Sequence, residues 1–491
     1  MLGPRTAAGL VFLASGAVLV LEILSLRLIA PYVGITLETN TAVIGVALAA
    51  IACGAWLGGR AADAIEPARL LGPLVLGAGA LTFTVLPLVR WTGELVRGGD
   101  ASAVLLIAAV AVFAPAALLA AVTPVVVKLR LATLRETGTV VGRLSGIGTL
   151  GAIAATFGTG FFLVAMVPSS VIVLGLGVLV SAVGAGLTVR MRGIRPVAGP
   201  LALALVGAGA TVLAPRPCQL ETAYHCASVS TDPARATGRV LRLDTLQHSY
   251  VDVDDPEYLK FSYVRGIASA IDVFRPGGRP VRALHLGGGG LTLPRYVAAS
   301  RPGSTSLVLE IDPGVLRIGT GRLGVGRIDG VTTRVQDARI GIGELPAGSR
   351  DLVIGDAFGG VAVPWHLATR ELVAEVRRVL TAEGMYAVNI IDHPPLGFAR
   401  AEIATIAAVF SQVAVVAPAD TLRGRRGGNV VVLASRAPLP IGALRARLAA
   451  RSAKLDVRTG SGPVRDLVDG APVLTDDFAP VDQLLTPYPR S

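Results

Sequence analysis

Three acidic residues follow three short apolar segments in the second half of the sequence. Glu310 ends the segment SLVLE, and one residue separates Asp337 from the segment TTRV and Asp356 from the segment DLVI. A carboxylate can accept hydrogen bonds from ribose hydroxyls or an exocyclic amine, and it can take a proton from an attacking amine. We therefore predict nucleoside contacts at Glu310 and Asp337 and a general base at Asp356. The alternative is that these acids only cap helices or lie in loops.

A run of glycines precedes the first of these acids, in the stretch RALHLGGGGLTLPRYV. Gly287, Gly288 and Gly289 directly follow an apolar segment, where the absence of a side chain lets the backbone turn sharply and approach a ligand. Glu310 follows about 20 residues later, which is the spacing of a nucleotide-binding unit built as strand, glycine turn, helix, strand and acid. The pattern predicts a nucleoside-binding turn; a purely structural turn is the alternative.

The elements that would position these residues follow from the alternation of short apolar segments with helical stretches. This alternation predicts a parallel sheet with crossover helices, in the methyltransferase-type variant of the doubly wound, Rossmann-like fold. Ligands of such sheets bind at the carboxyl ends of the strands. We assign residues 276–491 to this domain and 216–275 to a small β-rich region before it. The predicted strands are 281–286, 306–311, 332–335, 351–354, 385–391, 412–416 and 429–433, with helices that include 366–380 and 401–409.

The first half of the chain is a different kind of sequence. The 491 residues have a mean hydropathy of +0.64 and only 16% are charged, which is too apolar for a wholly soluble protein. Apolar runs of about 20 residues, enough to cross a bilayer, continue to about residue 214. Residues 1–215 are therefore predicted to form an integral membrane domain, with the lipid bilayer as its partner. The candidate helical spans are 8–30, 41–58, 70–88, 102–127, 141–167, 171–189 and 197–213.

The net charge of +11 does not indicate nucleic acid, because basic residues of the first half concentrate in alternate loops. Such a pattern sets orientation in a membrane and places the amino terminus in the cytoplasm. Seven spans then put the following domain outside the cytoplasm. No aromatic platform accompanies the basic cluster 423–426, so we predict no nucleic-acid partner. The five histidines lack ligand spacing, so no metal site is predicted either.

Two polar features of the first half leave alternatives open. Glu22 and Arg27 lie within the first span, where ionisable residues are costly and usually face a protein interior. They indicate a polar site in the bundle, or else a structural ion pair or an arginine that extends to the interface. Cys218 and Cys226 follow the last span and could form a disulfide outside the cytoplasm, although two free thiols fit the sequence equally well.

Several segments resemble the spermidine/spermine synthase family, in the branch that carries a fused multi-span membrane domain. They are LHLGGGGLTLPRYV, LVLEIDP, VQDAR and DLVIGDAFGGVAVPWHLATRELVAEVRRVL. The stretch TLQHSYVDVDDPEYLKFSYVRG resembles the small strand region that precedes the family's catalytic fold. In the first half LEILSLRLIAPYVG, and near the end LTDDFAPVDQLL, resemble the fused branch.

The resemblance implies transfer of an aminopropyl group from decarboxylated S-adenosylmethionine to putrescine, with the donor as co-substrate and without a bound prosthetic group. It makes Glu310 the ribose acceptor, Asp337 the adenine contact and Asp356 the base. It adds Gln247 to the lining of the site. Candidates for acceptor binding are Tyr250, Tyr263, Asp476 and Asp477.

This chain departs from the family's pattern at two positions. The family has an aspartate directly after the three glycines, where Gly290 stands here, and a second acid three residues beyond the base, where Gly359 stands. Each missing carboxylate removes a charge-assisted partner of a diamine, worth about 1.5–3 kcal/mol. Nucleoside binding is therefore better supported than polyamine specificity.

Two other functions are compatible with the sequence. One is transfer of a methyl group from S-adenosylmethionine, or of an aminopropyl group to a less charged acceptor. The other is a non-catalytic or transport-coupled membrane module that binds a nucleoside or a polyamine. Seven spans are too few for a full carrier, so transport would need a partner or a homodimer. A domain outside the cytoplasm would also be separated from a donor that is made inside.

Overall fold

The computed structural model describes residues 2–35, 37–97, 101–131, 133–275 and 278–486. The chain divides into two compact units, Met1–Cys226 and Ala227–Ser491. The first unit consists mainly of long apolar helices, and the second is a mixed α/β unit. Each is described by itself below.

The described residues of the first unit contain seven helices that are long and apolar enough to cross a membrane. They coincide with the seven predicted spans, although each extends a few residues further at one or both ends. In chain order they are α1 (Pro4–Val33), α2 (Leu37–Ala64), α3 (Pro67–Leu95), α4 (Ser102–Arg130), α5 (Thr137–Met166), α6 (Ser169–Arg192) and α7 (Arg195–Leu213).

Small residues let these helices pack closely. A Cβ atom at Gly58 of α2 would lie 2.7 Å from Ala121 Cα on α4, and one at Gly72 of α3 would lie 2.8 Å from Thr188 Cα on α6. Neither position has room for a side chain, so the two backbones are in direct contact there. This is the packing that small-residue patterns favour between membrane helices.

Arg27 of α1 has a structural role in the first unit. Its guanidinium donates to the carbonyl oxygens of Ala223 (2.5 Å) and Thr222 (2.6 Å), and its Nε donates to Ser169 Oγ (2.9 Å). Cys218 and Cys226 form a disulfide around this segment. The contacts of Arg27 therefore hold the segment after α7 against α1. Of the two alternatives for Cys218 and Cys226, the structure has the disulfide and not two free thiols.

The smaller sheet of the chain is antiparallel. A two-residue strand, β1 (Leu220–Glu221), comes first, followed by β2 (Cys226–Asp232), β3 (Arg235–Leu243) and β4 (Leu246–Asp252). Strand β3 pairs with both β2 and β4. This sheet accounts for the small β-rich region expected before the Rossmann-like fold.

Helix α8 (Ser262–Val273) connects the two sheets and is held at its carboxyl end by a buried arginine. Arg301 is 2% exposed, and its guanidinium donates to the carbonyl oxygens of Ile271 (2.5 Å) and Arg279 (2.7 Å). Carbonyl groups at the end of a helix lack partners within the helix, so a cation there is doubly favourable. This contact fixes the carboxyl end of α8.

The larger sheet has eight strands in the order β12-β10-β11-β9-β8-β5-β6-β7. Strands β5 to β9 pair in parallel, whereas β11 runs antiparallel to both β9 and β10. This topology confirms the predicted methyltransferase-type Rossmann-like fold. The strands are β5 (Arg282–Leu286), β6 (Thr305–Glu310), β7 (Val331–Val335), β8 (Arg350–Gly355), β9 (Leu380–Asp392), β10 (Gln412–Ala417), β11 (Gly428–Ser435) and β12 (Asp456–Thr459).

Helices cover the two faces of this sheet and bury its apolar residues. They are α9 (Thr292–Ser300), α10 (Pro313–Thr320), α11 (Ala338–Gly343), α12 (Arg370–Val379), α13 (Gly397–Ala407), α14 (Ala419–Leu422), α15 (Ile441–Ala450), α16 (Ser461–Val468) and α17 (Val481–Leu484).

Several predictions of the elements were inaccurate. The strand predicted at 385–391 begins at Leu380, and the helix predicted at 401–409 is Gly397–Ala407. The helix predicted at 366–380 begins at Arg370 because Thr369 caps it, accepting a hydrogen bond from Leu372 N (3.3 Å), and a 3-10 turn, Trp365–Leu367, precedes it. Edge strand β12 was not predicted, since its sequence DVRT has no run of apolar residues. Its pairing with β10 is visible only in the tertiary structure.

Candidate functional site

A cavity of about 520 Å³ lies at the carboxyl ends of the parallel strands. Strand β4, the start of α8, the glycine turn after β5 and the ends of β8, β9 and β11 supply its walls. The structure brings together seven of the predicted site residues in this lining, which are Gln247, Tyr250, Tyr263, Gly287, Gly288, Gly289 and Asp356. Glu310, Asp337, Asp476 and Asp477 are not part of it.

The glycine turn lies against the end of β8. Gly287 has a φ of +93°, and a Cβ atom there would lie 2.6 Å from the carbonyl oxygen of Asp356. The turn is held on both sides, because Gly287 N donates to Leu309 O (2.9 Å) and Asp356 N donates to Leu286 O (2.9 Å). Both the backbone angle and the space therefore require glycine at this position.

Glu310 binds the glycine turn directly. Its Oε2 accepts hydrogen bonds from Gly288 N (2.8 Å) and Gly289 N (3.3 Å), and its Oε1 accepts one from Asp312 N (3.0 Å). A carboxylate has about four acceptor positions, so capacity remains for a ribose hydroxyl. The acid positions the turn, and its contact with ribose stays a prediction.

Asp337 caps helix α11, as the alternative interpretation expected. Its Oδ1 accepts from Arg339 N (2.7 Å), and its Oδ2 lies 3.1 Å from Nε2 of His366. Asp476 lies in the same area, where its Oδ2 is 2.6 Å from Nη2 of Arg339. Asp477 is exposed. Neither Asp476 nor Asp477 lines the cavity with Asp356, so an acceptor role for them lacks support from the geometry.

Asp356 is the acid of the cavity. Its Oδ1 accepts a hydrogen bond from Asn389 Nδ2 (2.9 Å), and its Oδ2 accepts one from the Tyr263 hydroxyl (3.3 Å). Asn429 Nδ2 donates in turn to Asn389 Oδ1 (3.0 Å). This chain of donors fixes the orientation of the carboxylate.

The environment adjusts Asp356 to proton transfer near neutral pH. Burial raises its pKa to about 6, although the hydrogen bonds from Asn389 and Tyr263 lower the pKa in part. Burial and the neighbouring Asp356 raise the pKa of Tyr263 well above its usual value, so the phenol remains a donor. A general base is most effective when its pKa is near the working pH.

Tyr250 contributes its ring rather than its hydroxyl to the site. The hydroxyl donates to Asp232 Oδ2 (2.9 Å), and Lys260 Nζ lies 2.6 Å from the same oxygen and 4.7 Å from the centre of the ring. Gln247 is an exposed residue of the cavity wall. Its hydroxyl is therefore engaged by Asp232, and the acceptor role predicted for Tyr250 stays a prediction.

Gly290 does not face the cavity as its neighbours do. Its N–H donates to Ser249 Oγ (2.9 Å), and a Cβ atom there would lie 2.7 Å from Ser249 Cβ and 3.2 Å from Leu323 Cδ1. Gly359 is different, since the nearest atom to a Cβ there is Ala362 O at 4.0 Å. Of the two positions where the resemblance expects an acid, one is sterically closed and the other is open.

Sequence reasoning did not single out four residues that line the cavity. Asn389 and Asn429 are amides within the apolar segments AVNII and GNVVV, and an isolated amide in a buried strand could have marked them as site residues. Lys260 and Arg265 also line the cavity but carry no local signal in the sequence. Across the described parts of the chain, no group of three or more His, Cys, Asp or Glu residues could hold a metal ion.

Comparison with known proteins finds similarity to polyamine aminopropyltransferases. No family model matches the chain. Over 199 residues it is 29% identical to a polyamine aminopropyltransferase of Vibrio vulnificus, covering 39% of this chain and 61% of that protein. Over 146 residues it is 25% identical to a polyamine aminopropyltransferase of Chromobacterium violaceum, covering 30% of this chain and 54% of that protein. The chain is similar in sequence to polyamine aminopropyltransferases.

The match to these relatives spans less than two thirds of the length of either one. Among solved structures, a probable spermidine synthase from Corynebacterium glutamicum is 29% identical to this chain. It covers 52% of this chain and 95% of its own, with a TM-score of 0.49. The seven apolar helices of the first unit are consistent with the membrane-fused branch of the spermidine synthase family.

Proposed function

We propose that the protein is an aminopropyltransferase, which moves the aminopropyl group of decarboxylated S-adenosylmethionine to putrescine or a related amine. The observation that carries this proposal is Asp356, a carboxylate with a pKa of about 6 that two hydrogen bonds hold in a cavity beside the glycine turn. The similarity to proteins named polyamine aminopropyltransferase supports the same reaction.

The chemistry requires little more than these groups. The nitrogen of the amine attacks the aminopropyl carbon that is bonded to the sulfonium, the C–S bond breaks, and its electron pair returns to sulfur. Methylthioadenosine leaves, and Asp356 takes the proton that the amine loses. Because a sulfonium is a good leaving group, alignment of the two substrates and removal of this proton account for most of the catalysis. The donor is a co-substrate, and this reaction requires no prosthetic group.

The glycine turn and Glu310 would bind the nucleoside part of the donor. The absence of side chains at residues 287–289 permits close approach of the backbone, and Glu310 stands at the carboxyl end of the neighbouring strand. Ribose hydroxyls commonly bind an acid at this place in a doubly wound sheet. Asp337 caps the next helix outside the cavity lining, and its Oδ2, which is 3.1 Å from His366 Nε2, would have to accept the adenine amine as well.

The test is an assay of the full-length protein purified in detergent. Decarboxylated S-adenosylmethionine with a panel of amines should release methylthioadenosine, whereas S-adenosylmethionine should not yield S-adenosylhomocysteine. Formation of S-adenosylhomocysteine from S-adenosylmethionine, without release of methylthioadenosine, would indicate methyl transfer instead. Nucleoside binding without release of either product would support a non-catalytic module and contradict the proposal.

We also propose that the seven apolar helices cross a bilayer, with the amino terminus in the cytoplasm and the second unit outside it. The basic residues at alternate helix ends support this orientation, and the disulfide of Cys218 and Cys226 supports an oxidising compartment. A tag at the carboxyl terminus should then be digested when protease is added to intact cells. Protection of the tag would contradict this orientation. Digestion of the tag would support it, and the donor would then have to reach the side of the membrane opposite the cytoplasm.

A further inference from the structure

Two asparagines extend the hydrogen bonds of Asp356 across the sheet. Asp356 Oδ1 accepts from Asn389 Nδ2 (2.9 Å), and Asn389 Oδ1 accepts from Asn429 Nδ2 (3.0 Å). All three side chains line the cavity. The sequence contains three asparagines, and two of the three lie in this one row beside the same carboxylate. A general use of asparagine in the sheet therefore does not explain the row.

Strand pairing places the three residues side by side. In the register of β9 and β11, Asn429 lies opposite Ile391, which is two residues from Asn389, so both amides are on one face of the sheet. Asp356 directly follows Gly355, the last residue of β8, and β8 is the neighbour of β9 on its other side. The row therefore crosses the ends of three neighbouring strands.

The turn before Asn429 holds this residue in register. A Cβ atom at Gly427 would lie 2.5 Å from the Cα atom of His393, and Gly428 has a φ of +133°. Both positions require glycine, the first for space and the second for its backbone angle. His393 directly follows β9, so this contact joins the beginning of β11 to the end of β9 and fixes where the Asn429 side chain starts.

An amide can face a carboxyl group with either of its two ends, whereas a hydroxyl such as that of Tyr263 always donates to an ionised carboxylate. The N–H end of Asn389 favours the ionised form of Asp356, because it donates to the charged oxygen. The carbonyl end would favour the protonated form, because it would accept the proton of the acid. Asn429 donates to this carbonyl oxygen, so rotation of the Asn389 amide would break their hydrogen bond.

From this row we infer that Asn429 is a positioning residue, whose amide holds the N–H end of Asn389 toward Asp356 both before and after Asp356 has taken up a proton. The inference rests on the proposed aminopropyl transfer, in which Asp356 accepts the proton of the attacking amine. A base that is held in this way gives up the proton again readily and is ready for the next turnover. Asn429 acts through Asn389, and the inference requires no contact of Asn429 with a substrate.

Six other titratable side chains line the cavity, which are His248, Tyr250, Lys260, Tyr263, Arg265 and His285. Of these six, only Tyr263 is among the causes that set the pKa of Asp356, together with burial and the hydrogen bond from the neighbouring amide. Burial lowers the pKa of His285 to about 3, so its imidazole is uncharged at neutral pH. The lysine pairs with Asp232, and the arginine contacts Ser452 O. The direction of the amide is therefore expected to be visible in the titration of Asp356.

Variants of Asn429 test this inference through the pH dependence of turnover by the detergent-purified full-length protein. Asn429→Ala lets Asn389 rotate toward the protonated acid, so the midpoint should move upward from about 6 by about half a pH unit. Asn429→Asp attracts the N–H end of Asn389 away from Asp356 and adds a like charge, so the upward shift should be about one to two pH units. Turnover of both variants should recover above the new midpoint, which distinguishes the shift from misfolding.

An infrared titration follows the same carboxyl group without turnover. The band of the protonated carboxyl that is missing in Asp356→Asn should disappear at the same midpoint as the rate rises, and it should shift upward in both Asn429 variants. Gln412→Glu, a change from amide to acid at an exposed residue of β10, should leave both midpoints unchanged.

The two measurements separate failure of this inference from failure of the proposed function. Unshifted midpoints in Asn429→Asp, or a loss of turnover at every pH with an unshifted carboxyl band, would overturn the positioning role of Asn429. No release of methylthioadenosine by the unmodified protein would overturn aminopropyl transfer, and the infrared midpoints would still confirm or overturn the action of Asn429 on Asp356.

Discussion

The two edges of the cavity are built in different ways. On the donor edge, main-chain groups of the glycine turn contact one acid, with Gly288 N and Gly289 N both donating to Glu310. On the acceptor edge, side chains from β4, α8, β9 and β11 surround Asp356. A main-chain site requires only a short local motif, whereas the side-chain site requires several distant segments. The donor edge is therefore the part that a motif can reveal.

The two edges also differ in charge. Acids follow β6 and β7 behind the donor edge, outside the cavity lining, and both Glu310 and Asp337 accept hydrogen bonds from backbone amides. The acceptor edge has one acid, Asp356, together with Lys260 and Arg265. The backbone amides on one edge and the single carboxylate on the other are the two features that the proposed function assigns to donor and acceptor.

The largest expected effect is the loss of turnover when Asp356, the acid of the acceptor edge, is replaced. Asp356→Asn removes the proton acceptor and should lower kcat by about 10²- to 10⁴-fold, the usual contribution of general-base catalysis. Binding of methylthioadenosine, measured by calorimetry, should stay close to that of the unchanged protein because the glycine turn and Glu310 remain. The matched control is Asp329→Asn at an exposed site, which should turn over normally. Unchanged turnover in Asp356→Asn would contradict the assignment of Asp356 as the general base.

The corresponding change on the donor edge is Glu310→Gln. Loss of the charge weakens a charged hydrogen bond worth about 1.5–3 kcal/mol, so affinity for methylthioadenosine should fall by about 10- to 100-fold. The pH dependence of turnover should not move, since Asp356 is untouched. If affinity stays the same while kcat falls, the assignment of Glu310 to the donor edge is wrong.

Substitutions at Gly290 and Gly359 are expected to differ in their effect on the stability of the folded protein. Gly290→Asp forces a side chain against Ser249 Cβ and Leu323, and should destabilise the protein by about 1–3 kcal/mol, as overpacking does. Gly359→Asp meets open space and should change stability by less than about 0.5 kcal/mol. Thermal unfolding of the purified protein compares the two variants. Equal melting temperatures would show that the turn adapts to a side chain.

The smallest effect is a shift in pH dependence. Asp356 acts in its ionised form, so the rate should rise with pH, reach half its maximum near the pKa of about 6, and level off above it. Asn389→Ala removes a hydrogen bond that lowers this pKa, so the midpoint should move upward by about one pH unit or less. A downward shift, or none, would contradict the role of Asn389 in positioning the base.

Most elements of the second unit could be predicted from the sequence because buried strands are short apolar segments. Strand β6, predicted at 306–311, occurs at Thr305–Glu310, and β10, predicted at 412–416, occurs at Gln412–Ala417. Strand β12 could not be predicted, because an exposed edge strand needs pairing rather than burial. In the first unit, runs of about 20 apolar residues sufficed to find the helices.

The sequence by itself determined the class of each half and the donor edge of the cavity, because span length, strand periodicity and a glycine turn followed by an acid are local patterns. Only the tertiary structure decided that Asn389 holds Asp356, that Ser249 closes the position beside Gly290, and that Arg265 lines the same cavity. These contacts join segments that are far apart in the chain. Their chemistry depends on packing and burial, which no single segment encodes.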